Sequence, residues 1–533
     1  MNFGGVAQVV AALASGFTTQ LRGTRVFVLL PHYGFILKTS VIAQFEYRMP
    51  KGMRKVSISA LELGDVTFIL VGAPSHHPKL WSSMKVEDIY NVKHEYSRHP
   101  ISTSERDLHF SFVAAHAIQL ISSLGTRSEQ GVFVHVHGAT NAPIGWFLRN
   151  SYFQKALSVR ILYTIHDYNS EPYVIYDGAM LEKFQQSQGK NTRASFRVLD
   201  RIRGRRNQKL FLRMCTSETN QSNLALTKNY YYGSANMLDC FDAVTTVSEG
   251  MIPSLLKTHS AMARSIIELQ NSHRLHAITN WVSNRTWQNA RDFVSLENPA
   301  KDKLIAKQNF FSVFDALQST SSQPDATSCS VLWLGRFEAN KGLRFIPNIY
   351  STACQFGCYL ILAGYSTTTK QNNLLQKVLE KTALQKDCPL FVIKDKTHQD
   401  RHGHLIRSSA DIIVVPSSAE AYGLVAAEAL AYGTIPVVSN VGGLPEVVSA
   451  YPESDWTGFT FDHFPDDELT SLALKITLAK ALKAYQAARR DQSLNLLQRR
   501  IIHSTPRGGG GENEIGASLL NYIALMKEPL SKY

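Results

Sequence analysis

The sequence predicts an α/β protein made of two Rossmann-like, doubly wound domains. Three observations carry this prediction. Short apolar runs that read as buried parallel strands recur at 25–30, 132–136, 159–165, 330–334, 359–364, 390–393, 412–415 and 435–439. Helical segments alternate with them, which is the pattern of parallel sheets wrapped by helices. At 533 residues the chain exceeds a single ordinary core.

In chain order, residues 4–21 read as a Gly4-Gly5 turn leading into a helix, with Val6, Val9, Val10, Leu13 and Phe17 at helical spacing. A buried strand follows at 25–30 and ends at Pro31-His32-Tyr33-Gly34. Residues 56–72 alternate as two strands joined by a Gly64-Asp65 turn. A loop-rich stretch carries His76, His77 and Trp81, and a His-His pair alone is more often exposed than metal-bound. An amphipathic helix is predicted at 108–124. The strand at 132–136 ends in His135-Val136-His137-Gly138, and the strand at 159–165 delivers His166-Asp167. Residues 178–229 are polar, basic and glutamine-rich and read as an insertion or mobile loop. A strand at 244–248 closes the first domain, and the boundary falls near 270–280. The domains are therefore placed at 1–275 and 276–505, with 506–533 a linker and a terminal helix.

In the second domain, the strand at 330–334 is followed by Gly335-Arg336-Phe337-Glu338-Ala339-Asn340-Lys341-Gly342. An arginine and a lysine five residues apart, in the turn after a strand, can converge on one ligand. A planar fork beside a compact charge suits a diphosphate. A short helix is expected at 404–410, then a βαβ unit: a strand at 412–415, a helix at about 422–432 closed by Gly433, and a strand at 435–439 with a Gly442-Gly443 turn. Such a unit places ligands at the carboxyl end of the strand, before a helix amino terminus whose free N–H groups favour anions. Glu420 stands just before this helix and Glu428 inside it. Eight residues is a little over two turns, about 12 Å along a helix, so the two carboxylates can meet opposite ends of an extended ligand. Residues 469–502 read as helical, and 517–526 as a final helix.

The stretch 411–448 resembles the signature of retaining nucleotide-sugar glycosyltransferases of the GT-B architecture, with two facing Rossmann-like domains. Glu420 and Glu428 match its E-x7-E motif, followed by a small-residue helix, YGT-P-V and a Gly-Gly turn. The opening Gly-Gly turn, helix, strand and Pro-x-Tyr-Gly resemble glycogen and starch synthases in particular. Thr164-Ile165-His166 resembles that family's T-I-H-N, Asn280 and Trp287 its entry to the second domain, and residues 335–342 its G-R-L-x-x-x-K-G. The resemblance implies that Gly4 and Gly5 lie against the nucleotide diphosphate and acceptor sugar, where an unhindered backbone approaches phosphate oxygens. It implies that His166 contacts the donor sugar or the acceptor and that Arg336 and Lys341 neutralise the leaving diphosphate. Glu420 would hold the donor sugar, Glu428 the nucleotide ribose, and Tyr422, Gly423 and Leu424 would line the same site. It implies no metal and no further cofactor.

There are departures. Asn2 stands where the family has lysine, Gly138-Ala139 replace Asp-Trp, and Val282-Ser283 replace Ile-Asp. The family also has a strand before the Gly-Gly loop that is not seen before Met1. Its absence predicts exposed apolar edges in the first sheet and suggests an incomplete gene model.

Composition narrows the class. Hydrophobic content of 44% with 19% charged residues describes a globular chain. The net charge of +13 includes a basic stretch from Arg193 to Arg213, but no aromatic-interleaved or nucleic-acid motif accompanies it, so no nucleic-acid partner is expected. The six cysteines show no C-x-x-C pair, and Cys354 and Cys358 have no histidine partners for zinc. Reduced thiols, no apolar run of membrane-span length and no basic region before VAQVVAALASG predict a cytoplasmic protein. The expected function is transfer of glucose from ADP- or UDP-glucose to an α-glucan with retention. The alternatives are a related glycosyltransferase with another acceptor and a catalytically weak glucan-binding or regulatory protein.

Overall fold

The structure, a computed structural model, describes residues 5–21, 24–31, 40–49, 52–72, 104–124, 132–149, 159–168, 175–177, 230–232, 235, 237–507 with breaks at 259, 318–323, 367 and 384–387, and 516–527. Gly4, the segment His32-Tyr33-Gly34, His76, His77, Trp81 and the basic insertion at 178–229 lie outside the described residues. The chain forms two compact units. One comprises Met1–Val247, Ile252–Ile278 and Leu519–Tyr533, the other Ser248–Met251 and Thr279–Ser518.

In the first unit the helix Gly5–Gln20 buries Val9, Leu13 and Phe17, the expected stripe, and leaves Val6 exposed. Gly5 is thus the first residue of the helix. Strands β1 (Val26–Pro31), β2 (Ser40–Met49), β3 (Gly52–Leu63) and β4 (Val66–Gly72) form a sheet in the order β1-β4-β3-β2. Only β1 and β4 are parallel; β2, β3 and β4 form an antiparallel meander. Its second turn is the expected Gly64-Asp65, with Gly64 left-handed at φ 61°. The alternation of 56–72 thus marked β3 and β4, whereas β2 had not been anticipated.

The second sheet of this unit contains β5 (Val132–His137) and β6 (Val159–Ile165). After a two-stranded ribbon of β7 (Ile175–Asp177) and β8 (Tyr230–Tyr232), it is completed by β9 (Ala243–Thr246) and β10 (Leu275–Ala277). All four strands are parallel, in the order β10-β9-β6-β5. β1 and β5 are edge strands with half-buried apolar residues, and Leu30 is 37% exposed, whereas β6 is buried from Arg160 onward. The helix Ala517–Lys527 contributes buried Leu519 and Tyr522.

The second unit is a six-stranded parallel sheet of β11 (Ser330–Arg336), β12 (Tyr359–Tyr365), β13 (Leu390–Ile393), β14 (Ile412–Val415), β15 (Ile435–Ser439) and β16 (Phe459–Phe461). The order is β13-β12-β11-β14-β15-β16. From β11 the chain builds outward through β12 and β13, then crosses back to place β14 on the other side of β11. The reversal between β11 and β14 is the switch point at which crossovers leave a crevice at the carboxyl ends of the strands.

Two helices differ from expectation. The short helix expected at 404–410 is the carboxyl end of Lys396–Ser408, which starts earlier because Asp395 accepts the Thr397 N–H at its amino terminus. The segment 469–502 is two helices, Asp467–Arg490 and Leu494–His503, parted where Gln492 is left-handed at φ 62°. Beneath the sheet, Lys307 of the helix Pro299–Phe314 forms a buried 2.5 Å ion pair with Asp411, whose carboxylate also accepts from the Ser330 N–H.

Candidate functional site

The loops that follow β11 and β14 are neighbours because the strands pair in parallel, Val331 beside Ile412 and Leu332 beside Ile413. Gly342, left-handed at φ 69°, lets the first loop pass beneath the second: a Cβ there would come within 2.0 Å of the Pro416 carbonyl oxygen. The Ser418 N–H donates to the Asn340 carbonyl at 2.8 Å and ties the loops together.

This packing brings Lys341 and Glu420 into contact, Nζ to Oε2 at 2.7 Å. The same carboxylate oxygen accepts from the Ser417 hydroxyl at 3.2 Å. The Arg336 guanidinium lies 2.9 Å from Glu338, which also accepts from the Gln371 amide at 3.1 Å. All four charged side chains are partly exposed, as a binding crevice requires. Arg336 ends β11 and Lys341 lies in the loop directly after it, each with a carboxylate partner.

Gly423 follows Glu420 and Tyr422 with φ 109°, and its Cβ position lies 2.5 Å from a Leu444 methyl. The turn starts the helix Leu424–Ala431 with no side-chain cap, and its first internal bonds are those of Ala426 and Ala427 to the Gly423 carbonyl. The earlier amides face the crevice end without intrahelical partners and supply positive potential. Tyr422 is buried, and burial, then Glu446, pushes its phenol upward, so it stays neutral. The Gly442-Gly443 turn supports this corner: the Gly443 N–H donates to the Glu420 carbonyl at 3.3 Å, and the Ser248 hydroxyl donates to the Ala421 carbonyl at 2.5 Å.

Glu428 lies inside the helix with a nearly buried carboxylate, and Glu420 in the loop before it, so the two do not share one continuous helical face. The turn at Gly423 intervenes. Glu428 meets Arg407 instead, Oε2 to Nη2 at 2.7 Å. Sequence reasoning missed Arg407, Glu338, Gln371 and Ser417. Only Glu338 had a local signal, a carboxylate two residues after the arginine.

His166, by itself in the first unit, follows β6 and is buried. Its Nε2 lies 2.9 Å from the Nδ1 of His137, so one ring donates and the other accepts. His135, two residues earlier and on the same face of β5, contacts the Thr164 hydroxyl through Nε2 at 2.6 Å. Burial, and secondarily His166, pushes His135 down to about 3. Burial, followed by His135 and His166, holds His137 well below its ordinary value. Both imidazoles are neutral at physiological pH. Among the described residues, no group of three or more histidine, cysteine or acidic side chains is arranged to hold a metal, and the described cysteines are free thiols. No described helix is long and apolar enough to cross a membrane.

Comparison with known proteins follows the same division. Residues 1–265 match the family model for the starch synthase catalytic domain, and residues 318–491 that for glycosyl transferases group 1. Glycogen synthase 2 of Agrobacterium fabrum is 27% identical over 249 residues, 46% of each chain. A glycogen synthase of Thioalkalivibrio sulfidiphilus is 30% identical over 253 residues, 46% of this chain and 49% of its own. The chain thus spans about half the length of the curated relatives it matches. Among solved structures, the catalytic domain of starch synthase IV from Arabidopsis thaliana, bound to ADP and acarbose, aligns with a TM-score of 0.70 at 18% identity, over 98% of this chain and 96% of that one. Sucrose-phosphate synthase from Thermosynechococcus elongatus aligns with a TM-score of 0.52 at 17% identity, over 98% and 92%. These likenesses establish the GT-B fold.

Proposed function

Because the chain belongs to the glycogen and starch synthase type of GT-B glycosyltransferases, we propose that it transfers glucose from a nucleotide-glucose, ADP- or UDP-glucose, to an α-glucan with retention. One observation carries the reading: Lys341 and Glu420 meet beside an uncapped helix amino terminus at the switch point of the second unit. A cation, a carboxylate and free amides are what a reaction expelling a diphosphate from a sugar needs.

In this reading the donor diphosphate lies across Arg336, Lys341 and the amides around Gly423-Leu424. Negative charge that builds on the leaving oxygen is met by groups already oriented for it. Glu420 is released from Lys341 as the phosphate takes the ammonium. Its carboxylate then accepts from the donor sugar's hydroxyls and stabilises the positive charge developing at the ring. Glu428 accepts from the ribose, and Tyr422, buried and neutral, braces the loop. In the first unit, His166 shares a hydrogen bond with His137, and by resemblance it is the group that would meet the transferred sugar or the acceptor. No divalent ion enters this scheme, and turnover is expected to persist in a chelator.

The test is nucleotide release from ADP-glucose and UDP-glucose, with and without glycogen, beside a Glu420→Gln control. Glycogen-dependent release that disappears in the control supports the reading and identifies the donor. Folded protein that releases nucleotide from neither sugar overturns it. Glu338, paired with Arg336, favours the second reading, a glucan-binding protein of low turnover, since it sets a carboxylate where a diphosphate would bind. Glycogen binding without nucleotide release would establish that alternative.

A further inference from the structure

Arg407 has no place in the site as the sequence presents it, yet it makes the one polar contact given to the Glu428 carboxylate among the described residues. Its Nη2 donates to Oε2 at 2.7 Å, and both side chains are largely withdrawn from solvent, 24% and 8% exposed. The contact uses one carboxylate oxygen and leaves Oε1 for another donor. The arginine is itself anchored. Its Nη1 donates to the Gly403 carbonyl at 3.1 Å, beside the break in the helix Lys396–Ser408 at His402, where φ is −120° and ψ 15°. Its Nε is buried with no hydrogen-bond partner among the described residues. The guanidinium thus spends its strongest bond on Glu428.

A carboxylate this deeply placed would turn toward water unless a fixed cation held it. Neighbouring His404 does not compete for it, because burial, and then Arg407, pushes the imidazole's affinity for protons down. Single-point anchoring of a carboxylate, with its second oxygen presented, is the geometry for accepting a hydrogen bond from a hydroxyl at a set position.

Resting on the reading of this unit as the nucleotide-sugar site, we propose that Arg407 is a positioning residue: it holds the Glu428 carboxylate turned so that Oε1 accepts a hydrogen bond from a ribose hydroxyl of the donor nucleotide. The arginine touches no ligand. It sets the preference for a ribonucleotide over its deoxy counterpart by orienting the group that reads the sugar.

The experiment measures, by calorimetry on the full chain, the binding of ADP, UDP and their 2′- and 3′-deoxy forms to wild type, Arg407→Ala and Arg407→Lys. The wild type is expected to prefer the ribonucleotide, and Arg407→Ala to lose roughly tenfold of that preference, 1.4 kcal/mol, with little change for the deoxy form it no longer distinguishes. Arg407→Lys, which keeps the charge, is expected to recover part of the loss. A rise in donor KM with little change in kcat should accompany it. Equal weakening of ribo and deoxy ligands would overturn the proposal, since that is the signature of a tie between two helices. An unaltered preference in any folded Arg407 variant would also overturn it, as would a wild type that binds nucleotide without discriminating ribose. Those results leave the donor site standing, whereas a wild type that binds neither ADP nor UDP removes the site and the proposal together.

Discussion

At the scale of single residues, the second unit is a set of charges held in pairs, and each pair predicts its own response. Lys341→Met should lower glycogen-dependent nucleotide release by roughly 100-fold or more, the usual effect of removing one group that stabilises transition-state charge. Steady-state kinetics should place the loss in kcat as well as KM. Glu338→Gln should act in the opposite direction. The carboxylate competes with the diphosphate for Arg336, so removing its charge should tighten nucleoside diphosphate binding by about threefold to tenfold, consistent with a partly exposed pair worth ~1 kcal/mol. Weaker binding in titrations of that variant would mean that Glu338 orients Arg336 instead. Gly423→Ala should cost both stability and donor binding, because a Cβ at φ 109° is strained and would press within 2.5 Å of Leu444.

At the scale of elements, the site depends on the βαβ crossovers staying in register. The helix Pro299–Phe314 is fastened to the sheet by Lys307 on Asp411 and by Lys303, which donates to the Tyr432 carbonyl and the Thr434 hydroxyl at the start of β15. Burial pushes the Asp411 carboxyl up, but Lys307, Lys303 and the hydrogen bonds it accepts bring it below its ordinary value. Lys307→Met leaves that carboxylate buried and unmatched and is expected to cost about 3–5 kcal/mol in urea unfolding. A loss under 1 kcal/mol would show that the sheet does not need the tie. The elements were largely legible in sequence. β6, β13, β14 and β15 lie where their apolar runs put them, because a strand buried on both faces must be apolar throughout. β2 and the early start of Lys396–Ser408 were not, since an edge strand and a polar amphipathic turn lack that signal.

At the scale of the whole molecule, the two units carry different sensitivities. In the first, His135 and His137 are packed against each other at 3.9 Å between ring centroids and kept neutral by burial. Their folded pKa values lie below the unfolded value of 6.5, so the unfolded chain takes up protons first, and stability present above about pH 6.5 is lost as pH falls toward 3. His135, pushed down to about 3, costs about 2 kcal/mol at pH 5. His135→Gln should flatten the fall in stability between pH 7.5 and 5, and an unchanged slope in denaturant unfolding would refute this origin. The sequence by itself determined the α/β class and most of the strands, and it singled out Arg336, Lys341, Glu420 and Glu428 as candidates, because these depend on local apolar runs and on residue types at short spacing. Only the tertiary structure decided who meets whom. Lys341 touches Glu420 across 79 residues and Arg407 touches Glu428 across 21, since β14 returns to lie beside β11 and Arg407, in the last turn of the helix before β14, reaches Glu428 in the helix after it. Contact between distant residues is set by strand order and crossover, which no local pattern in the chain records.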